Sequence, residues 1–130
     1  MIIDSSALIA LLLKEPGFER LRDVLVQRDE PARIASANFL EAAIVADRKR
    51  DPALSRAYDD VIARFEIEVV PFTAEHAQMA REAHRDYGKG SGHPAKLNFG
   101  DSIAYALARS EREPLLYVGN DFSHTDIEAA

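Results

Sequence analysis

The chain contains no cysteine among its 130 residues. That absence excludes a disulfide framework, a thiolate zinc site and a cysteine nucleophile, and it suits a reducing compartment. We also expect no signal peptide, because Met1 leads straight into Ile2, Ile3 and Asp4 without a basic segment. The apolar run at residues 7–13 is too short to span a bilayer. We therefore expect a cytoplasmic protein with no membrane partner.

Positive charge is in deficit. The chain has 16 lysine and arginine residues against 22 aspartate and glutamate residues, for a net charge of -6. Proteins that only bind nucleic acid are usually basic, because neutralising phosphates supplies much of their affinity. The acidity therefore counts against a simple binding module. It counts less against a nuclease, whose carboxylates hold cations that in turn meet the phosphate.

The length suits a single domain covering residues 1–130, and there is no repeat, low-complexity tract or long linker. Apolar patterns predict strands alternating with helices, which indicates an α/β fold with a mostly parallel sheet. Ligands of such folds bind beyond the carboxyl ends of the strands. The predicted strands are residues 1–3, 32–35, 68–72 and 115–118, with a further short strand or turn at 121–127; the predicted helices are residues 6–13, 18–25, 38–50, 54–65, 74–87 and 99–112.

Four acids occupy the places where such a sheet would gather them. Asp4 and Asp121 follow predicted strands, while Glu41 and Asp101 fall in the predicted first turns of helices. Carboxylates at close range repel one another unless a cation lies between them. Sites built only from oxygen ligands select magnesium or manganese, which can activate water and orient a phosphodiester. The pattern predicts a metal-dependent hydrolytic site.

Each acid also has an ordinary structural interpretation. Asp4 fits the N-cap of a helix, and Asp121 fits a turn. Glu41 and Asp101 each stand three residues after an asparagine, Asn38 and Asn98, which resembles a capping box. For any one acid taken alone the structural role is favoured, and only the convergence of all four favours a site.

A glycine-rich loop at residues 88–94 lies directly upstream of Asp101. Lys89 and His93 in the loop and Lys96 just after it make this region basic, so we expect it to contact RNA phosphates. The loop is not a nucleotide-binding P-loop, because it lacks the glycine-lysine-serine/threonine ending.

Four stretches together resemble a known family, the PIN-domain ribonucleases, and within it the VapC-type toxins of toxin–antitoxin modules. The resemblance spans essentially the whole chain in the family's order. It implies a PIN-like three-layer α/β/α sandwich around a central, mostly parallel sheet of four or five strands. The stretches are MIIDSSAL at residues 1–8, SANFLEA at 36–42, NFGDSIAYALA at 98–108 and LYVGNDFSHTDI at 116–127.

The resemblance also implies an activity and roles for residues. It implies Mg²⁺- or Mn²⁺-dependent endonucleolytic cleavage of structured RNA, tRNA or rRNA. Asp4, Glu41 and Asp101 match the family's metal-binding acids, and Asp121 matches a fourth, more variable acid. Ser6 matches a hydroxyl residue near the metal, and Asp126 aligns with a recurrent acid, which we expect to be a supporting or turn residue.

Partners follow from the same resemblance. It implies a cognate VapB-type antitoxin, whose C-terminal segment would lie in a groove formed by the early helices and block the site, and it implies a homodimer.

Two other functions fit parts of the sequence pattern. A phosphoryl-accepting receiver-like domain needs paired acids after the first strand and a lysine after a late strand, whereas Asp4 is single and Gly119-Asn120 follows Val118. A non-catalytic RNA- or protein-binding module on the same fold is the main alternative. The intact set of acids argues against it.

Overall fold

The computed structural model describes all of residues 1–130. Its centre is a sheet of four short strands: β1 (Ile2–Ile3), β2 (Arg33–Ala35), β3 (Glu68–Val70) and β4 (Leu115–Leu116). The spatial order is β3-β2-β1-β4, and every neighbouring pair is parallel. This confirms the predicted mostly parallel sheet, with four strands.

Six helices connect the strands, two in each crossover. All six predicted helices are present, with ends that differ by one to a few residues. None of them is long and apolar enough to cross a membrane. The helices are α1 (Ser5–Leu13), α2 (Phe18–Gln27), α3 (Ser36–Arg48), α4 (Pro52–Arg64), α5 (Ala74–Tyr87) and α6 (Phe99–Glu111).

Neighbouring strand residues point to opposite faces of the sheet, so its apolar residues divide between two cores. Ile3 and Leu116 are buried in the core formed with α1 to α4. Ile2 and Leu115, one residue earlier in each strand, are buried in the core formed with α5 and α6. The sheet is therefore the middle layer of three.

The handedness of the crossovers accounts for this division of the helices. From β1 to β2 to β3 the chain moves across the sheet in one direction, and then it returns past β1 to β4. Parallel crossovers are right-handed in about 98% of cases, so reversing the direction moves the connecting helices to the other face. The strand order also places a switch point at β1, between β2 and β4, where ligands of open α/β sheets bind.

The end of the chain is mostly turn. A single turn of 3₁₀ helix covers Phe122–His124, and Leu115 makes an isolated parallel bridge with Ala129. The further strand considered at residues 121–127 is therefore absent.

Candidate active site

Asp4 lies directly after β1, at the switch point, and caps α1. Its Oδ2 accepts a hydrogen bond from the backbone N–H of Ser6 at 2.9 Å and another from the Ser6 hydroxyl. Its side chain is 1% exposed, and its Oδ1 is buried without a hydrogen-bond partner. Burial raises the pKa of Asp4, the Ser6 hydrogen bonds lower it, and repulsion from Glu41 raises it. The capping interpretation is correct, but it uses only one oxygen of this carboxylate.

Glu41 is held differently from the prediction. Helix α3 begins at Ser36 with Ala35 as its N-cap, so Glu41 lies in the second turn. The expected capping box between Asn38 and Glu41 is wrong, because Asn38 is inside the helix and fully buried. Strand β2 runs into α3 without an intervening loop, so no side chain caps this helix.

Three neighbours position the Glu41 carboxylate instead. Its Oε2 accepts from the Ser5 hydroxyl at 2.8 Å and from the Asn38 amide at 3.3 Å. The Asn38 amide also donates to the Gly100 carbonyl at 3.0 Å, which ties α3 to α6. A Cβ on Gly100 would stand 2.5 Å from Glu41 Oε2, so the carboxylate occupies the space that the missing side chain leaves.

Asp101 forms the predicted capping box at the start of α6. The Asn98 backbone N–H donates to Asp101 Oδ2, and the Asp101 N–H donates to Asn98 Oδ1, both at 2.8 Å. The side chain is buried, and burial is the main cause that raises its pKa to about 6. The hydrogen bond from Asn98 opposes that increase.

Asp121 reaches the same region through a tight turn after β4. Gly119 has a φ of 103°, a left-handed conformation that suits glycine and redirects the chain. Asp121 itself is exposed and precedes the 3₁₀ turn. Strand β4 ends at Leu116, shorter than predicted, because the Val118 N–H leaves the sheet and donates to the Ser6 hydroxyl at 3.1 Å.

The four acidic side chains lie close enough together to affect one another's charge. Asp4, Asp121 and Glu41 each raise the pKa of Asp101 by electrostatic repulsion. Carboxylates influence one another in this way only at short range in a poorly solvated region. The structure thus brings Asp4, Glu41, Asp101 and Asp121, hereafter the acidic cluster, to the carboxyl edge of the sheet.

The acidic cluster is not a finished coordination sphere. No three acidic or histidine side chains are arranged so that they could hold a metal ion together. The protein's own donors fix one oxygen each of Asp4, Glu41 and Asp101. The second oxygen of each accepts no hydrogen bond, and Asp4 Oδ1 is fully enclosed. An enclosed carboxylate oxygen without a donor, among oxygen ligands only, fits a hard divalent cation.

The supporting residues divide into two groups. Ser6 contacts Asp4, in the position expected for it. Asp126 accepts from Tyr105 at 2.7 Å and pairs with Arg109, and it makes no hydrogen bond to the acidic cluster. These contacts lie toward the C-terminal half of α6, so Asp126 is a contact of that helix.

The three basic residues in and just after the glycine-rich loop differ in their exposure and contacts. Lys89 and Lys96 are exposed, and neither forms an ion pair. His93 is half-buried, with its Nδ1 accepting from the Ala95 N–H at 3.2 Å and its ring 4.9 Å from that of Tyr87. His93 is therefore engaged inside the loop, while the two lysines are free for a polyanion.

Sequence reasoning missed three residues that position Glu41: Ser5, Asn38 and Gly100. The sequence pattern predicts a helix cap at Asn38. In the structure Asn38 is instead fully buried inside α3, and its amide donates to Glu41. Ser5 and Gly100 each stand next to a recognised acid in sequence, which was the only available signal.

The fold and the acidic cluster together define the class. Residues 1–128 match the family model of the PIN domain. The chain therefore belongs to the PIN-domain family.

The sequence relatives narrow this to one branch. Ribonuclease VapC28 of Mycobacterium tuberculosis is 49% identical over 130 residues, covering 100% of this chain and 97% of the relative. Ribonuclease VapC42 of the same species is 42% identical, covering 100% and 98%. Within the PIN-domain family, the chain belongs with the VapC ribonucleases.

Solved structures share the fold at low sequence identity. M. tuberculosis VapC20, described as a sarcin–ricin loop cleaving toxin, superimposes with a TM-score of 0.78 at 15% identity and covers 99% of this chain and 97% of its own. VapBC2 of Rickettsia felis, solved with a DNA fragment from its promoter, has a TM-score of 0.75 at 14% identity, covering 99% and 96%. A toxin–antitoxin complex from Klebsiella pneumoniae has a TM-score of 0.70 at 17% identity, covering 94% and 89%.

Proposed function

We propose that this chain is the toxin of a type II toxin–antitoxin pair and that it hydrolyses phosphodiester bonds in structured RNA, tRNA or rRNA, with Mg²⁺ or Mn²⁺ as cofactor. The observation that carries the proposal is the approach of three carboxylates, Asp4, Glu41 and Asp121, to Asp101, next to an enclosed and unpartnered oxygen of Asp4. Such an arrangement is costly in a folded protein, and a function that needs a cation explains why it is kept.

Asp4 and Asp101 are the residues best placed to hold the metal, with Glu41 and Asp121 completing the set. Bound there, a divalent cation lowers the pKa of a water molecule and neutralises charge on the phosphodiester. Ser6 holds one oxygen of Asp4 and Asn98 holds one oxygen of Asp101, so the other oxygen of each would be available to hold a cation. The repulsion between Asp121 and Asp101, together with the contacts of Asp126 to Tyr105 and Arg109, supports Asp121 over Asp126 as the fourth acid.

The exposed acids have a second proposed role, as proton acceptors. Glu41 and Asp121 reach solvent, whereas Asp4 and Asp101 are buried. A carboxylate that the metal leaves free accepts the proton from the attacking water. Lys89 and Lys96, upstream of α6, hold the phosphate backbone of the RNA beside the acids.

An antitoxin is the proposed protein partner. A groove of about 290 Å³ lies among α1, α2 and α4, with Leu11, Phe18 and Phe65 in its lining. It is apolar at the centre and bears Arg22 and Arg64 at its sides, which suits an amphipathic segment of a partner. The R. felis neighbour pairs a VapC with a VapB. The homodimer and the cytoplasmic location stay predictions.

The test is cleavage of RNA by the purified chain, freed from any antitoxin, with Mg²⁺ or Mn²⁺ and with EDTA. We expect cleavage at discrete positions in tRNA or rRNA, which sequencing of the new RNA ends locates. The Asp4→Asn variant keeps the shape and an acceptor for Ser6, and it should cleave nothing. Cleavage by the variant at the wild-type rate would contradict the proposal. Tight RNA binding without any cleavage would favour the non-catalytic module.

A further inference from the structure

The surface beside the acidic cluster contains an aromatic ring that the fold does not use. Phe99 is the first residue of α6, and 79% of it is exposed. Exposing a phenyl ring to water is unfavourable by roughly 25 cal/mol for each Å² left uncovered. Phe99 shares a groove with a second aromatic residue, Phe72, and paired aromatic surfaces of this kind offer large contact area to a ligand.

Phe99 forms one wall of a groove between α5 and α6, hereafter the α5–α6 groove. The groove has a volume of about 340 Å³ and is lined mainly by apolar atoms, with Phe72 also in its wall. This volume lies in the range of small-molecule sites. Two basic side chains of α5, Arg81 and His84, line the same groove. Arg81 forms no ion pair in the structure, so its guanidinium is available to a ligand.

The α5–α6 groove begins at the same end of α6 as the acidic cluster, although none of the four acids lines it. Phe99 stands between Asn98, which binds Asp101, and Gly100, against which the Glu41 carboxylate rests. Phe72 follows β3 at the same carboxyl edge of the sheet, and its N–H donates to the Ser36 hydroxyl at the start of α3. A single RNA strand held at the acids can therefore reach this groove by passing the N-terminus of α6.

We propose that the α5–α6 groove binds one unpaired nucleobase of the RNA substrate, stacked on Phe99, with Arg81 contacting the adjoining phosphate. The inference rests on the proposed RNA cleavage and adds a specificity determinant to it. Sequence-specific RNA recognition uses bases turned out of loops, which stack on aromatic rings and arginine planes. The pairing of a flat aromatic surface with a cation that forms no ion pair matches the base and the phosphate of a nucleotide.

The binding test uses a short single-stranded RNA with 2-aminopurine in place of each adenine in turn, whose fluorescence is quenched by stacking. It is titrated with the Asp101→Asn protein, which retains the groove and does not cleave. We expect quenching at one position, and weaker binding by about 5- to 100-fold after Phe99→Ala. Phe99→Trp should restore both the quenching and the strength of RNA binding. Val26→Ala is the matched control, since Val26 is 66% exposed on α2 and should change neither.

The kinetic test uses the otherwise wild-type chain on the RNA that it cleaves. We expect Phe99→Ala to raise KM with little change in kcat, because the ring binds the base and touches no reacting atom. Arg81→Ala should weaken binding and reduce its dependence on salt. Unchanged quenching and unchanged KM in Phe99→Ala would overturn the proposal. Loss of antitoxin binding by Phe99→Ala, with RNA binding intact, would also overturn it. The groove would then bind a side chain of the antitoxin. Absence of cleavage by the wild type contradicts the proposed function, and the quenching still decides the groove.

Discussion

Replacing Asp101 by asparagine is expected to abolish RNA cleavage and to make the metal-free protein more stable. The loss of activity should reach about a thousandfold or more, since a metal supplies several kcal/mol of transition-state stabilisation. The variant keeps the fold because an asparagine oxygen still accepts from the Asn98 N–H at the N-terminus of α6. Inactivity with higher stability would separate a functional acid from a structural cap.

The gain in stability follows from the raised pKa. The carboxyl of Asp101 titrates near 6 in the folded protein, against 3.8 as its ordinary value. The folded state therefore binds the proton more tightly than the unfolded state does. This contribution to stability is complete below pH 3.8 and is lost as the pH rises through about 6. At pH 8 the buried charge destabilises the metal-free fold, and asparagine removes that charge.

Thermal unfolding in EDTA measures the effect. At pH 8 the variant should be more stable by about 1–2 kcal/mol, since solvent screens part of the charge, or by roughly 3–8 °C in Tm. Near pH 3 the difference should nearly vanish, because the Asp101 carboxyl is then mostly protonated in both the folded and the unfolded state, so this pH is an internal control. A variant that is less stable than the wild type at pH 8 would show that Asp101 serves mainly as a helix cap.

Gly100→Ala is expected to cost activity without costing stability. An added Cβ would meet Glu41 at 2.5 Å from Oε2, 2.7 Å from Oε1 and 2.9 Å from the carboxyl carbon. Glu41 is a flexible side chain on an exposed residue, so its carboxylate can move away by giving up the hydrogen bonds from Ser5 and Asn38. Alanine also favours a helix over glycine by about 1 kcal/mol. Displacing the carboxylate by about 1 Å should lower cleavage about 10- to 100-fold.

A double-mutant cycle identifies the cause of that loss. If Gly100→Ala acts through Glu41, it should have no further effect on Mn²⁺ affinity in a Glu41→Ala background. Additive effects of the two substitutions would contradict the assigned contact between Gly100 and Glu41. A fall in Tm of several degrees for Gly100→Ala would instead indicate a packing defect in α6.

The sequence predicted features that depend on local spacing. The alternation of strands and helices was confirmed, as was the capping box of Asn98 and Asp101, because the two residues are three apart in one turn. The same reasoning was wrong for Asn38 and Glu41. Helix α3 starts at Ser36 directly from β2, and no residue there signals that start.

The spacing of residues along the sequence does not predict contacts between helices and strands that are far apart in the chain. The space at Gly100 matters only because α3 and α6 lie side by side, which strand order decides. The early end of β4 likewise depends on Ser6, 112 residues away from Val118, drawing the Val118 N–H out of the sheet. The convergence of the acids was predicted because parallel strands end at one edge, whereas the hydrogen bonds that hold each oxygen were not.

The central claim is that the acidic cluster binds a divalent cation, and a calorimetric titration of the metal-free chain with Mn²⁺ at pH 7 tests it most directly. We expect binding at or below millimolar concentration by the wild type, and at least about tenfold weaker binding by Asp4→Asn. Asp126→Asn should bind like the wild type, because Asp126 contacts Tyr105 and Arg109 rather than the acids. No binding at millimolar Mn²⁺, or equal binding by the wild type and Asp4→Asn, would contradict the account.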